Sequence, residues 1–540
     1  MRQRITILCL LLIVFTICVS AKKKQCKKVT SEQSAAPTAS YQELTDQDIV
    51  QRLKIADFDM PLLSAPKFPD MVKSISDFGA IADGIHLNTD AIQKTIDVVS
   101  KQGGGTVVIP AGIWLTGPIV LKDNIRLYVS EGALLQFSTD FNLYPIYDTS
   151  FEGVETKRCQ SPLSAFNAKN IAITGKGIIN GGGDAWRPLK KNKVAPTVWK
   201  EKIKTGVLNA KKDIWYPDSA SLKAVDYCVD QNVPENVNDW EAIHSFLRPV
   251  MLHFVKCTDI LLEGVTFENS PAWNIHPLMC ENIILYRLNV RNPWYSQNGD
   301  GVDVESCKNV LIADSQFDVG DDAICMKSGK NEDGRRRGIA TENVVVTGCT
   351  VFHGHGGFVV GSEMSGDIRN ITVSDCLFIG TDVGLRFKST RGRGGIVENI
   401  YIRNINMTNI PTYPLTFDLF YGGKGVGEES EEEIAKRVNA SIPPVTIETP
   451  QFRNIYIDRV MCNSSLQAMH FNGLPEMKVE NINVSNTQIT SLKGAYFNQA
   501  NKLTMNNVTI NNKEGKAVIM KNVTNYKFSN VRDANGKEIH

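Results

Sequence analysis

The stretch "NVLIADSQFDVGDDAICMKSG", residues 309–329, decides how the rest of the chain is read. It opens on an asparagine and places apolar residues at period two, as with Val310 and Ile312 or Ile324 and Met326. Small or polar residues separate the runs. That period belongs to strands with one buried face, not to helices. Valine, isoleucine and phenylalanine at the apolar positions suit a pleated, half-buried surface.

Similar blocks start at Asn170, Asp259, Asn282, Asn309, Asn343, Asn370, Asn399, Asn454 and Asn481. From Asp259 onward the steps are 23, 27, 34, 27, 29, 55 and 27 residues. The commonest step is too short for a pair of helices with their turns. It fits a coil of three short strands and three turns. The expected fold is all-β: a right-handed parallel β-helix, each coil stacking on the last around one continuous core. Asparagines at the turns are expected to form hydrogen-bonded ladders. That is also the plainer reading of "NIT", "NMT", "NSS", "NVS" and "NVT", which otherwise resemble glycosylation sites.

Steps that overshoot mark loops leaving the coil. One contains "KNEDGRRRG", residues 330–338. Larger excursions run near 184–246 and 420–445. The first holds Trp186, Trp199, Trp215 and Trp240, which read equally as a packed flap or as an aromatic wall over a sugar-binding cleft. Ahead of the coils, a helix is expected from Asp90 to about Ser100. It precedes a glycine run and would cap the open end of the solenoid.

The chain of 540 residues has a formal net charge of +1, 42% hydrophobic and 22% charged residues. That balance gives no electrostatic case for binding nucleic acid or a membrane surface. The N-terminus "MRQRITILCLLLIVFTICVSA" has a basic start, a short apolar run and a small-residue end at Ala21, the pattern of an export signal. The expected organisation is a signal peptide at 1–21, a flexible leader at 22–65 and a single catalytic β-helix domain at 66–540. The mature chain is expected to be periplasmic or extracellular, monomeric and without a membrane span. Cys257, Cys280, Cys307, Cys325, Cys349, Cys376 and Cys462 lie mostly in apolar strand runs and read as small buried residues. No cysteine or histidine spacing suits zinc. Neither a metal nor a cofactor is expected.

Polar groups of chemical interest fall on consecutive coils. "NGDGVD" supplies Asn298, Asp300 and Asp303; "GDD" supplies Asp321 and Asp322; "GHGG" supplies His355; "RFK" supplies Arg386 and Lys388. Counted back from the next asparagine marker, and discounting the inserted loop, all occupy a similar part of the coil. Coils stack about 4.8 Å apart, so four of them span a groove of about 15 Å, the reach of a few sugar units. Crowded carboxylates suit glycoside hydrolysis, which needs one acid and one group to activate water. The basic pair suits an anionic sugar. Singly, each residue reads as turn chemistry or a solvated face; their co-location argues otherwise. A calcium site from the four aspartates is opposed by the adjacent arginine and lysine. Asp321 and Asp322 pose a problem of their own, because a regular strand would bury one of them. A bend or bulge at Gly320–Asp322 is expected to bring both to the groove.

At these motifs the chain resembles glycoside hydrolase family 28, the polygalacturonases and their relatives. The resemblance begins at "DFGAIADGIHLNTDAIQKTID" from Asp77 and passes through "NSPAWNIHP" from Asn269. It continues through "NGDGVDVESCKNV", "GDDAICMKSG", "GHGG" and "RFKSTRGRGG". It implies an inverting hydrolase of α-1,4-galacturonosyl bonds in pectin that needs no metal. By position, Asp321 matches the general acid, and Asp300 and Asp322 the pair that holds and activates water. His355 matches the histidine that supports the acid, Arg386 and Lys388 the grip on a galacturonate carboxylate, and Asn298 a substrate contact. Gly299 stands where the family usually has threonine, and Phe387 where isoleucine is common. Exo action is the preferred mode, since the two large excursions are placed to wall off a groove end. The alternatives are a rhamnogalacturonan or other pectic side-group hydrolase of the same family, a calcium-dependent pectate lyase on the same fold, and a non-catalytic carbohydrate-binding β-helix.

Overall fold

The computed structural model describes residues 44–230, 232–422 and 442–540, with Glu432 and Lys436 between the last two. The expected signal at 1–21, the leader up to residue 43 and most of the 420–445 excursion lie outside the described residues.

Each turn of the chain visits three parallel stacks of strands. In the first, Lys308–Ala313 pairs with Thr341–Thr347, which pairs with Ile368–Ile379. In the second, Gln316–Asp318 pairs with Thr350–Phe352. The third stack carries β1 (Leu252–Val255), β2 (Ile275–Leu278), β3 (Val302–Glu305), β4 (Asp322–Lys327), β5 (Gly356–Val360), β6 (Val383–Lys388) and β7 (Tyr413–Asp418). Each of these pairs in parallel with the next. This is the parallel β-helix that the repeats predict. Inward residues of all three stacks merge into one core, where Val310, Phe317 and Ile324 of one coil meet Val344, Val351 and Phe358 of the next. Each such side chain contributes about 1.5–3 kcal/mol when fully buried.

The block-opening asparagines explain why the coils hold register. Asn170, Asn282, Asn309, Asn343, Asn370, Asn399, Asn454 and Asn481 all adopt positive φ, between 51° and 59°. Asparagine tolerates that left-handed conformation better than most residues. Their amides then stack: Asn309 donates to Asn282 at 3.1 Å, Asn343 to Asn309 at 3.1 Å and Asn370 to Asn343 at 3.3 Å. Asn309→Leu would lose two of these bonds and force a branched side chain into a left-handed backbone. We expect it to cost about 3 kcal/mol, seen as a lower urea midpoint. Asn309→Gly, which keeps the backbone, should cost less.

The ends and flanks follow the same logic. α1 (Asp46–Leu53) belongs to a strap described below, and α2 (Thr89–Lys101) is the capping helix, one residue longer at each end than the pattern predicts. α2 buries Ile92, Ile96 and Val99 in the core. The stretch 44–65, expected to be flexible leader, is instead a packed strap. Leu44, Ile49, Leu53 and Leu63 are buried against Ala172, Leu261, Ile284 and Leu311 on the outer face of the first stack. Arg52 pairs with Asp314, and Asp57 pairs with Arg403. The compact body therefore starts at Leu44 rather than at residue 66. The cysteines named above are buried free thiols. Three of them stack, with the Cys257 N–H on Cys280 Sγ at 3.3 Å and the Cys280 N–H on Cys307 Sγ at 3.4 Å.

Candidate active site

The site lies on the outer face of the third stack, where the chain enters it from the second. Asp300 stands two residues before β3, Asp321 and Asp322 at the start of β4, His355 just before β5, and Arg386 and Lys388 within β6. One pocket of about 350 Å³ is lined by all six and by Asn298. Every site residue expected from the sequence is thus brought together.

The adjacent aspartates do not sit in one regular strand. The second-stack strand ends at Asp318, residues 319–321 turn the corner, and Asp322 begins β4. Ala323 and Ile324 then both enter the core, so the alternation slips by one. The slip leaves Asp322 on the outer face with Lys327, while pairing to β5 runs unbroken from Asp322↔Gly356 to Ile324↔Phe358. The expected bend is therefore a corner plus a phase slip, not a bulge. Gly320 permits it: a Cβ there would lie 2.4 Å from Ser296 Oγ.

The two departures from the family pattern also resolve. At Gly299 a Cβ would fall 1.9 Å from Ser296 Oγ, so Ser296 fills the space that a threonine would take. Phe387 is fully buried and stacks on Phe417 with ring centroids 4.5 Å apart. It faces the core and cannot shape the pocket.

Oxygens of Asp300, Asp321 and Asp322 lie within 4.8 Å of one another. Three carboxylates this close cannot all ionise freely. Burial, then the neighbouring Asp303, pushes Asp300 well above the usual carboxylate range. Burial also opposes ionisation of Asp322, but Lys388 Nζ at 2.7 Å and Arg386 Nη1 at 3.2 Å hold it below that range. Asp321 is the most accessible of the three. Burial opposes its charge as well, yet His355 Nδ1 at 3.2 Å, with Lys388 and Arg386, holds it low. His355 answers in kind: burial would lower it, but Asp321 raises it above an ordinary imidazole. Its other nitrogen faces Asp382 at 3.8 Å. Asp321 and His355 thus form an ion pair whose proton sits on the imidazole.

Several lining residues carry no signal in the sequence. A hairpin of Ile146–Phe151 and Val154–Cys159 lies over the outer face of β1 and β2. Thr149 Oγ1 meets His253 Nε2 at 2.9 Å, Phe151 packs on Trp273, and the Lys330 N–H donates to the Gly153 carbonyl at 2.9 Å. His253 and His276 are buried beneath it. The hairpin tip thereby reaches the pocket, where Glu152 lines it. At the hairpin tip, Glu152 accepts from Asn232 Nδ2 at 2.8 Å. The same nitrogen reaches Asn298 Oδ1 at 3.2 Å, which also accepts from Arg248 Nη2 at 2.9 Å. Two donors on its oxygen orient Asn298 so that its amide N–H group is the one presented to a ligand. Behind the pocket, Lys327 pairs with Glu363 at 2.7 Å. Lys327 could have been found, since it shares the outer face with Asp322 and Cys325. Glu152 and Asn232 come from excursions with no period.

The excursion tryptophans are mainly a packed flap: Trp186, Trp199 and Trp215 are buried. The aromatic groups on the pocket are instead Trp273, Trp294, Tyr295 and Tyr421.

A sequence profile described as "Glycosyl hydrolases family 28" matches residues 244–458, the coils that build this site. Over these coils the chain is similar to glycoside hydrolase family 28. Among curated proteins, it is similar to a probable polygalacturonase of Vitis vinifera, 29% identical over 349 residues. That match covers 62% of this chain and 60% of the relative. An exo-poly-alpha-D-galacturonosidase of Dickeya chrysanthemi is 27% identical over 463 residues, covering 84% of this chain and 74% of its own. Relatives named endo-polygalacturonase match as well. Among solved structures, a hyperthermoactive exopolygalacturonase of Thermotoga maritima superposes with a TM-score of 0.66 at 28% identity, covering 86% of this chain and 96% of its own. Among the described residues no helix is long and apolar enough to cross a membrane.

Proposed function

We propose that the chain is an exported, inverting glycoside hydrolase that cleaves α-1,4-galacturonosyl linkages of polygalacturonan from a chain end. The observation that carries this reading is a basic pair, Arg386 and Lys388, set beside three crowded carboxylates in one pocket. Asp321 acts as general acid by passing to the leaving oxygen the proton that His355 holds beside it. Asp300 and Asp322 hold and activate the attacking water. Asn298 contacts the sugar through its amide N–H, and Arg386 with Lys388 meets its carboxylate. All these groups come from one chain, in keeping with a monomer, and residues 44–540 form the catalytic body. Exo action rests on the hairpin over β1 and β2, whose tip residue Glu152 lines the pocket and is read as a wall to a long polymer. Export rests on the pattern at residues 1–21.

The stereochemistry has a rival reading with its own observation. Inverting pairs generally stand about 6.5–9.5 Å apart and retaining pairs about 5–5.5 Å, and the oxygens here lie within 4.8 Å. Spacing alone therefore favours a covalent intermediate. Against it, both oxygens of Asp322 are held by cations and Asp300 is deeply buried, so neither is poised as a nucleophile.

Digestion of polygalacturonate, with products sized over time and the first product followed by proton NMR, tests all of this. Mono- or digalacturonate appearing first, in the β-anomeric form, is the expected result. Intermediate oligomers appearing early would sink exo action, and an α-anomer would sink inversion. No reducing ends from any pectic substrate would sink the hydrolase reading.

A further inference from the structure

Arg386 and Lys388 have two claims on them. As the grip for a sugar carboxylate they should be available to a ligand, and both line the pocket. Yet Lys388 Nζ donates to Asp322 Oδ2 at 2.7 Å and Arg386 Nη1 to Asp322 Oδ1 at 3.2 Å, one cation on each oxygen. A carboxylate bonded through both oxygens has little basicity left to offer water. Tyr421 lies against the pair, its ring centre 4.9 Å from Lys388 Nζ and 5.6 Å from Arg386 Cζ, and lines the same pocket.

We propose, building on the hydrolase reading above, that this pair is a clamp shared between Asp322 and the substrate. With the pocket empty it holds Asp322 by both oxygens. The carboxylate of a uronate unit then takes over the donors and frees an Asp322 oxygen for water. The base is switched on by the negative charge of the sugar to be cleaved. In the step that follows, a water O–H bond breaks and its proton passes to Asp322. The water oxygen bonds to the anomeric carbon, the glycosidic C–O bond breaks, and the leaving oxygen takes, through Asp321, the proton held by His355. A neutral or methyl-esterified sugar offers no competing charge, so the clamp stays closed over a bound substrate.

The surroundings of Asp322 support this. Asp300 and Asp303 face it from the coil before, Asp321, Lys327 and the Cys325 thiol (Sγ 4.0 Å from Asp322 Oδ2) from its own coil, and His355 from the coil after. Of the cations among its neighbours, Lys327 is already paired with Glu363 and His355 with Asp321. The clamp is therefore the part of this set that an entering anion can draw away.

Lys388→Met tests the clamp through opposite effects on two substrates. On polygalacturonate the variant should lose activity, with a higher KM and a lower kcat. On fully methyl-esterified oligogalacturonides its kcat should exceed that of the wild type by at least about tenfold, a fraction of what a general base can contribute. A residue that only binds the substrate carboxylate would leave the ester rate unchanged, and a structural residue would lower both rates. An ester rate unchanged or lowered, undetectable turnover included, overturns the proposal. If the variant does not fold, wild-type pH profiles decide. Drawing the clamp off Asp322 raises its pKa, so the acid limb of kcat should lie at higher pH for the uronate than for the ester; coincident limbs overturn the clamp. Failure of the wild type to cleave polygalacturonate would sink the hydrolase reading instead, so the two failures are distinct.

Discussion

Asp321→Asn is expected to lower kcat on polygalacturonate by at least about a thousandfold, within the range of a lost general acid. The amide is close to isosteric. Its oxygen can still accept from the Asp322 N–H, which meets Asp321 Oδ1 at 3.0 Å. It has no proton to give a leaving oxygen. The fold should be intact, so the thermal midpoint should move little. A second readout separates chemistry from packing. Asp321 is what raises His355, since burial alone would lower it. In the variant, the His355 ring should therefore titrate below an ordinary imidazole, where the wild type titrates above. NMR of the imidazole protons would show this even without turnover. A variant that retains a tenth of wild-type activity would remove Asp321 from the acid's role.

The largest effect on stability is expected behind the pocket, at Glu305. This fully buried carboxylate accepts from His276 Nε2 at 2.9 Å and from Arg337 Nη1 at 2.5 Å. Arg337 also donates to Ser150 Oγ at 3.0 Å. It ends the short helix α3 (Asn331–Arg337), in the inserted loop that follows β4 in the next coil. One carboxylate thus ties the coil, the loop and the hairpin that reaches the pocket. Glu305→Ala would strand the fully buried His276 and leave the half-buried Arg337 without its carboxylate, and removing one partner of a buried pair costs about 3–5 kcal/mol. The same residue sets an acid limit. Burial would raise it, but His276 and Arg337 hold it at about 2, below its ordinary 4.5. A depressed acid stabilises the fold fully above its unfolded value, and that contribution fades as pH falls from about 4.5 toward 2. Between those values the wild type should lose stability in urea faster than the variant does. Parallel curves would show that Glu305 does not carry this dependence.

The fold was legible because the two signals that build it are local. A left-handed asparagine such as Asn309 or Asn343 marks where each coil turns, and period-two residues such as Val310 and Ile312 mark which side is buried. The chemistry was legible for the same reason. Asp300, Asp322, His355 and Arg386 stand at like distances from those markers, so stacking alone brings them together. What stayed hidden depends on contacts between segments with no shared period. Glu152 and Asn232 meet only because a hairpin and an excursion fold over β1 and β2. The strap misled for a related reason. Its apolar residues, Leu44, Ile49, Leu53 and Leu63, are sparse in a polar stretch, and only the apolar outer face of the first stack gives them a place to bury. The tryptophan count drew attention to the wrong rings, because the flap needed Trp186 for its own packing while the pocket took Trp273 from an ordinary coil.

The asparagine ladder separates what can change from what cannot. Each coil is pinned to its neighbour by its own rung, so a corner loop can lengthen, shorten or be replaced without displacing the coil that follows. The proposed catalytic row, from Asp300 to Lys388, is held by the rungs, while the pocket walls made by Glu152 and Asn232 hang from the corners. Selectivity is thereby free to drift under selection while the reaction stays fixed. A single scaffold of this kind can supply many substrate preferences by exchanging loops, with no need to rebuild its centre.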